Sequence, residues 1–269
     1  MTTARVRLFA ALLPLIVAGC KVEDNQSLTL QHFVGFTTTG MCIADPLATL
    51  LATSGVFDAS LIASFGDGAT HGYLVAPVIQ NNIPDRAGGG VTVQRDGITV
   101  NSFEIELHDS KGGDLPFQLQ AFENMPASTH PAFTVNSAVG VLAPTGKAAV
   151  FVDAIPTRAA QHLAKADFGT WDRIILVHIR AVGDHSGNTL KSNWVDFPVT
   201  ICKGCLTDEV PCDQFDSTVV VRKGGCYVGQ DDVMTCCTQR GGGALCGPDL
   251  PTPVSLDGGT PYDAAMTGN

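Results

Sequence analysis

Hydrophobic and polar residues alternate along the middle of the chain with a period of two. Phe103, Ile105 and Leu107 are separated by polar residues, and residues 195–201 follow the same pattern. Alternation of this kind places one face of a β-strand in a core and the other face in water. Longer apolar runs, typical of more deeply buried strands, cover residues 72–79, 149–155 and 174–182.

About eight such strands fall between residues 55 and 201. They predict a mainly β fold, an antiparallel β-sandwich of the immunoglobulin-like type, followed by a small disulfide-rich C-terminal module. Pro198 cannot donate a ladder hydrogen bond, which places its strand towards an edge or a bulge. Residues 117–121 also alternate and are expected to form a strand.

Two segments have helical character. Residues 158–167 are predicted to form a helix, with Thr157 as its N-cap and Gly169 just beyond its end. A second helix of one or two turns is predicted for residues 45–51, which begin with an Asp-Pro pair and carry three leucines at helical spacing.

The first twenty residues have the composition of an export signal. Arg5 and Arg7 precede an apolar run at residues 8–17. The run suits the apolar region of a signal peptide and is too short for a membrane-spanning helix. We therefore predict a signal peptide at residues 1–19.

The end of this run, Val17-Ala18-Gly19-Cys20, resembles the bacterial lipobox. The resemblance implies cleavage before Cys20 and a diacylglyceryl thioether on its sulfur, usually with another acyl chain on the new amine. Two or more chains anchor a protein stably in a membrane. Lys21 follows, where an acidic residue can hold such lipoproteins at the inner membrane, so the resemblance implies the outer membrane. The alternative is ordinary signal cleavage nearby, with Cys20 as a structural thiol.

The chain has nine cysteines, and eight are left if Cys20 carries lipid. An even number in an exported protein predicts a disulfide framework. The candidates are Cys42, Cys202, Cys205, Cys212, Cys226, Cys236, Cys237 and Cys246. Seven of these lie between residues 202 and 246, and seven is odd. If all eight are oxidised, Cys42 must therefore pair with one of the other seven; if Cys42 is free, a second thiol is unpaired too.

Cys202 and Cys205 form a C-x-x-C pair, for which a metal site and a redox pair are the alternatives. A zinc site usually needs a second C-x-x-C or a His pair, and no histidine follows His185. A redox C-x-x-C usually begins a helix, whereas this pair ends a strand-like run. We therefore expect structural disulfides, with no metal and no cofactor.

The chain divides into five segments on these grounds. They are a lipoprotein signal peptide at 1–19, a lipidated N-terminus and spacer at 20–54, a β-sandwich domain at 55–201, a cysteine-rich module at 202–247 and a disordered tail at 248–269.

Composition and motifs argue against two classes of function, nucleic-acid binding and catalysis. The formal net charge is −10, with 16 basic against 26 acidic residues, which argues against nucleic-acid binding. No catalytic sequence motif is found, so an enzyme is not predicted. His178 with Arg180, and Glu104 with Glu106, share strand faces; we interpret both pairs as the solvated side of a sheet.

Scattered motifs resemble those of cysteine-rich lipoproteins from myxobacteria and their relatives. They are Asn81-Asn82, the segment Phe197-Pro198-Val199-Thr200-Ile201-Cys202-Lys203-Gly204-Cys205-Leu206, Gly229-Gln230-Asp231 and Cys236-Cys237. The resemblance implies an exported β-rich domain with a C-terminal cysteine cluster, and it implies no activity.

The sequence therefore predicts a non-enzymatic structural or interaction module, lipid-anchored in the bacterial cell envelope, with a protein or glycan partner. One alternative is a glycan-binding sandwich, for which Trp171 and Trp194 are the candidate ligand-binding residues. The other is a metal or redox protein built on the C-terminal thiols.

Overall fold

The structure is a computed structural model that describes residues 27–36, 42–61, 72–85, 96–169, 172–212, 226–227, 230–238 and 244–246. The strands are β1 (Leu28–Val34), β2 (Leu51–Ala52), β3 (Gly55–Asp58), β4 (Tyr73–Val75), β5 (Pro77–Asn81), β6 (Ile98–Asp109), β7 (Ala132–Leu142), β8 (Lys147–Ala149), β9 (Val152–Ile155), β10 (Ile174–His185), β11 (Asn188–Lys191), β12 (Val195–Cys202), β13 (Thr207–Pro211), β14 (Met234–Thr238) and β15 (Ala244–Cys246). A helix, α1, spans Thr157–Lys165. The predicted fold class is confirmed: the protein is a mainly antiparallel β-sandwich with a small disulfide-linked C-terminal part.

The larger sheet has the strand order β3-β12-β10-β6-β7, and β11 adds to β10. Its pairs are antiparallel except β3 with β12, which is parallel. The β10–β6 ladder is the longest, running from Ile175 opposite Asp109 to Asp184 opposite Thr99. Ser186 and Gly187 connect β10 to β11 with φ values of 53° and 82°, a pair of left-handed residues that suits a tight hairpin.

The second sheet has the order β2-β1-β5-β8 and covers the apolar face of the first. A separate β4–β9 pair and α1 also contribute buried side chains to this core. The alternation in the sequence is reproduced in the burial: Phe103, Ile105 and Leu107 of β6 are inaccessible to solvent and pack with Val177 and Ile179 of β10. Each such side chain contributes about 1.5–3 kcal/mol by leaving water, so this shared face is the main source of stability.

Of the two helices that the sequence predicts, the structure contains one. α1 is confirmed, but Pro156 is its N-cap and Thr157 its first residue, since the fixed φ of proline suits the entry to a helix. The helix predicted for residues 45–51 is wrong. The Asp45 carboxylate accepts from the Leu47 N–H at 2.8 Å to close a turn, because so short a segment cannot nucleate a helix without burying an apolar face.

The strand predicted at 117–121 is also wrong. Leu119 makes an isolated bridge to Ser128, and it is buried as part of a loop that closes one end of the core. Pro198 lies on β12, an inner strand rather than an edge strand. It is tolerated there because β3 pairs with β12 only from Val199 onward.

The C-terminal part is held to the rest of the described chain by one disulfide and by hydrogen bonds. Its strands have the order β13-β14-β15. Cys42 is bonded to Cys226, 184 residues away, which is the pairing of Cys42 with a C-terminal cysteine that the odd count predicted. The Gln230 side chain is buried and bonds both backbone groups of Leu74, accepting from its N–H at 3.0 Å and donating to its C=O at 2.6 Å.

Several predictions lie outside the described residues. They are the signal peptide at 1–19, Cys20, Trp171 and the tail at 248–269.

Asp153 on β9 carries one of two buried side-chain atoms that have no hydrogen-bond partner among the described residues. One oxygen of its carboxyl group, Oδ1, is buried and has no hydrogen-bond partner among the described residues. Burial raises the pKa of Asp153 to about 7, although a hydrogen bond from the Gly72 backbone N–H opposes the shift. The folded protein therefore binds the Asp153 proton more tightly than the unfolded chain, whose carboxyl has a pKa of about 3.9.

The Asp153→Asn variant should be more stable than the wild type at pH 8. In the wild type the free energy of unfolding falls as the pH rises from about 4 to about 7, because the unfolded chain releases this proton over that range while the folded state still holds it. The substitution removes that loss, a gain on the order of 2 kcal/mol at pH 8 and much less at pH 5. Urea denaturation of variant and wild type at both pH values measures this gain in the free energy of unfolding, with Asp208→Asn at an exposed position as the control. Equal gains at both pH values would contradict the raised pKa of Asp153.

Candidate functional site

The outer face of the larger sheet carries a compact group of charged, imidazole and indole side chains. We call this group the sheet-face cluster. Its members are Glu104, Glu106, His108, His130, His178, Arg180, Lys191, Trp194 and Asp196. Because the core-facing residues of β6 and β10 alternate with these, the same period that builds the core brings the cluster together on the opposite side.

Glu104 is the centre of a three-residue ion pair. It lies directly opposite Arg180 in the β6–β10 ladder. Arg180 Nε donates to Oε2 at 2.6 Å, and Lys191 Nζ donates to Oε1 at 2.7 Å. Burial alone would raise the pKa of Glu104, but the hydrogen bonds and charges of Lys191 and Arg180 outweigh burial and lower it. The carboxylate is thus held charged and oriented.

Trp194, just before β12, packs on two neighbours from β10. Its ring stacks on the His178 imidazole with 4.4 Å between ring centroids and 13° between planes, and the Arg180 guanidinium carbon lies 4.2 Å from its centroid. His178 Nδ1 is 2.5 Å from an Asp196 carboxylate oxygen, which fixes the imidazole orientation. A rigid, partly exposed aromatic surface is the result.

Two more imidazoles converge on Glu106. Its Oε2 lies 3.4 Å from His108 Nε2 and 3.6 Å from His130 Nε2. The two rings stand edge to face with their centroids 4.2 Å apart. His108 is only 9% exposed, and its Nδ1 has no hydrogen-bond partner within the described part of the chain. On its other side His130 Nδ1 lies 3.5 Å from Asp114.

A cavity of about 380 Å³ lies between the two sheets where they meet the C-terminal segment. It is lined mostly by apolar side chains, with the Tyr73 hydroxyl donating to the Asp231 carboxyl at 3.0 Å. Burial is the main cause that raises the pKa of both Tyr73 and Asp231. Asp231 also accepts from the Val56 N–H at 2.8 Å, so the carboxyl joins three segments and has a structural role.

The C-x-x-C pair is organised by a buried carboxylate. Cys202 and Cys205 are bonded to each other. Asp58, inaccessible to solvent, accepts from the backbone N–H groups of Gly204 and Leu206 and from Ser60. With its oxygens occupied and the two sulfurs joined, this group presents no free metal ligands, and the chain enters β13 rather than a helix after it.

The structure locates several of the site residues that the sequence predicts. Cys212 is bonded to Cys237, Cys236 is also disulfide-bonded, and the residue opposite Cys236 in the β14–β15 ladder is Cys246. Trp194 belongs to the sheet-face cluster. The sequence gives no signal that His108 and His130 meet, since they are 22 positions apart and share no motif; the strand register brings them together.

No protein-family model matches the chain, and no curated protein matches it. None of the helices in the described residues combines the length and the hydropathy required to span a bilayer.

Replacing Glu104 by Gln should lower the free energy of unfolding by about 1 kcal/mol at pH 7, because Arg180 and Lys191 lose their charged partner. The lowered pKa of Glu104 makes its contribution complete above about pH 4 and lost as the pH falls through the folded-state value. The gap between variant and wild type should therefore narrow progressively as the pH falls below the ordinary pKa of a glutamate. Urea denaturation against exposed Glu123→Gln tests this, and a gap that persists in acid would refute it.

Proposed function

We propose that the protein is a lipid-anchored component of the bacterial cell envelope that acts as a non-enzymatic interaction module. The observation that carries the proposal is the state of the cysteines. Seven of the eight that follow Cys20 are disulfide-bonded: Cys42, Cys202, Cys205, Cys212, Cys226, Cys236 and Cys237. Disulfides persist in oxidising compartments outside the cytoplasm, so this framework supports export.

The same pairing supports lipid on Cys20. Three bridges use six cysteines, and the seventh, Cys236, faces Cys246 across the β14–β15 ladder. A fourth bridge between those two would complete the set of eight and leave Cys20 free for the lipidation that its lipobox-like context implies. Lys21 then favours the outer membrane as the destination.

The sheet-face cluster is the surface best suited to a partner. Its charged groups are fixed in place by ion pairs such as Glu104 with Arg180, and Trp194 adds an aromatic surface. Rigid aromatic and arginine side chains dominate the energetics of protein interfaces. A glycan partner is less favoured, since the Trp194 ring that would stack on a sugar already packs on His178 and Arg180.

The thiol-based alternatives are also less favoured. A metal site would need free thiolates, and a redox pair would need a thiolate stabilised at a helix N-terminus. The bonded pair joins Cys202, the last residue of β12, to Cys205 in the connection to β13, with Cys202 buried and Cys205 exposed.

Membrane fractionation of a Cys20→Ser variant tests the anchor. We expect the wild type in the membrane fraction and the variant in the soluble periplasmic fraction, because the lipid is lost with the sulfur. Lys21→Ala, which alters the adjacent residue and keeps the cysteine, should fractionate as the wild type does.

Retention of Cys20→Ser in the membrane would refute lipid anchoring. Lys21→Asp tests the destination separately: it should shift the protein from the outer to the inner membrane, and an unchanged outer-membrane position would remove the support that Lys21 gives.

A further inference from the structure

The group formed by Glu106, His108 and His130 has the composition and convergence of a metal site. We propose that these three side chains bind one divalent transition-metal ion, with Zn²⁺ as the ion that the ligand set favours. Two imidazoles and one carboxylate are a recognised zinc ligand set in which the fourth position is open. The proposal is independent of the lipid anchor and of the proposed function.

Strand register explains why three residues so far apart in sequence meet. Glu106 and His108 are two apart on β6 and therefore share its outer face. Glu106 pairs with Ala132 of β7, and the Leu107 N–H donates to the Pro131 carbonyl at 3.0 Å. Continuing this antiparallel register by two residues places His130 opposite His108. The backbone of the sheet thus fixes the spacing of the ligands before any metal binds.

The distances from Glu106 to the two histidines match those between neighbouring ligands of one metal ion rather than those of hydrogen bonds. Glu106 Oε2 lies 3.4 and 3.6 Å from the two Nε2 atoms, beyond the usual 2.7–3.2 Å of an N–H···O bond. Metal–ligand bonds of about 2.0–2.1 Å in a tetrahedron separate neighbouring ligand atoms by about 3.3 Å. All three ligand atoms lie within 4.8 Å of one another, so one ion can reach each of them after small movements.

The surroundings offer His130 the support that a metal-binding histidine usually has. Ligating histidines usually hydrogen-bond a carboxylate or carbonyl through their other nitrogen, which fixes the ring. His130 Nδ1 lies 3.5 Å from an Asp114 carboxylate oxygen, so a small movement on metal binding would close this hydrogen bond, and Asp114 accepts from the Thr129 hydroxyl at 3.3 Å. Together Glu106 and Asp114 provide two negative charges, which balance a divalent ion.

Ligand chemistry and access favour zinc over calcium or magnesium. Those two ions prefer six or more oxygen ligands, whereas imidazole favours zinc and the later transition metals. The Glu106 side chain is 33% exposed and that of His130 is 41% exposed, while His108 is buried behind them. An ion can therefore enter from solvent, and water or a partner's side chain can take the fourth position.

The test uses the full-length protein, purified in detergent with its disulfides intact, treated with iodoacetamide to block any free thiol and stripped with EDTA. Titration calorimetry with ZnCl₂ should show one ion per chain. Glu106→Gln and His130→Gln should each weaken binding at least 10-fold, and Asp114→Asn should weaken it by roughly 10- to 100-fold through loss of the carboxylate beside His130 Nδ1. His162→Gln, which removes a histidine from α1, should bind as the wild type does.

Cobalt(II) provides a spectroscopic check, since a four-coordinate site gives strong visible absorption that the His130→Gln variant should lose. Because His130 is exposed, its substitution should leave the circular dichroism spectrum unchanged, so folding does not confound the result. No saturable zinc binding by the wild type, or equal affinity in wild type and His130→Gln, would overturn the proposal.

Discussion

The antiparallel pairing of β6 with β10 is the constraint on which both faces of the molecule depend. In its register Ile105 faces Ile179 and Leu107 faces Val177, and all four side chains are buried. A shift of one residue would turn that apolar set towards water, so burial fixes the register. The outer face is then determined as well, because the residues between the core positions must point the other way.

This coupling accounts for the sheet-face cluster. The register that buries Ile105 also places Glu104 opposite Arg180 and Glu106 opposite His178. The ion pairs and the imidazole group are therefore positioned by the hydrophobic core, and their own interactions contribute comparatively little to choosing the fold. A rigid core that holds polar groups at set distances is the arrangement that binding sites require.

The C-terminal part depends on a different kind of interaction. Its described residues contribute few apolar side chains, chiefly a small cluster around Leu206 and Met234 that packs on Leu61. Its attachment relies on the Cys42–Cys226 bridge, on Gln230 and on the buried carboxylate of Asp58. In the chain-entropy model a bridge across so long a loop stabilises the folded state by several kcal/mol.

The strands could be predicted from sequence wherever burial imposed a period, as at Phe103–Leu107 and 195–201. Residues 117–121 show the same period without a partner strand, because loop residues that cover a core end are also alternately buried. The involvement of Cys42 in a long-range bridge followed from counting, but its partner depends on the fold. The convergence of His108 with His130 could not be predicted, since strand register between β6 and β7 is set by tertiary packing.

The claim that links the disulfide framework, the anchor and the compartment is that the mature protein is a lipidated chain with four disulfides. The intact mass of detergent-extracted protein, denatured without reduction and treated with an alkylating reagent, tests it directly. The predicted result is a mass that begins at Cys20, includes its acyl chains, lacks the eight hydrogens of the eight later cysteines and shows no alkyl adduct. A mass without acyl chains, or with two or more alkylated thiols, would contradict it.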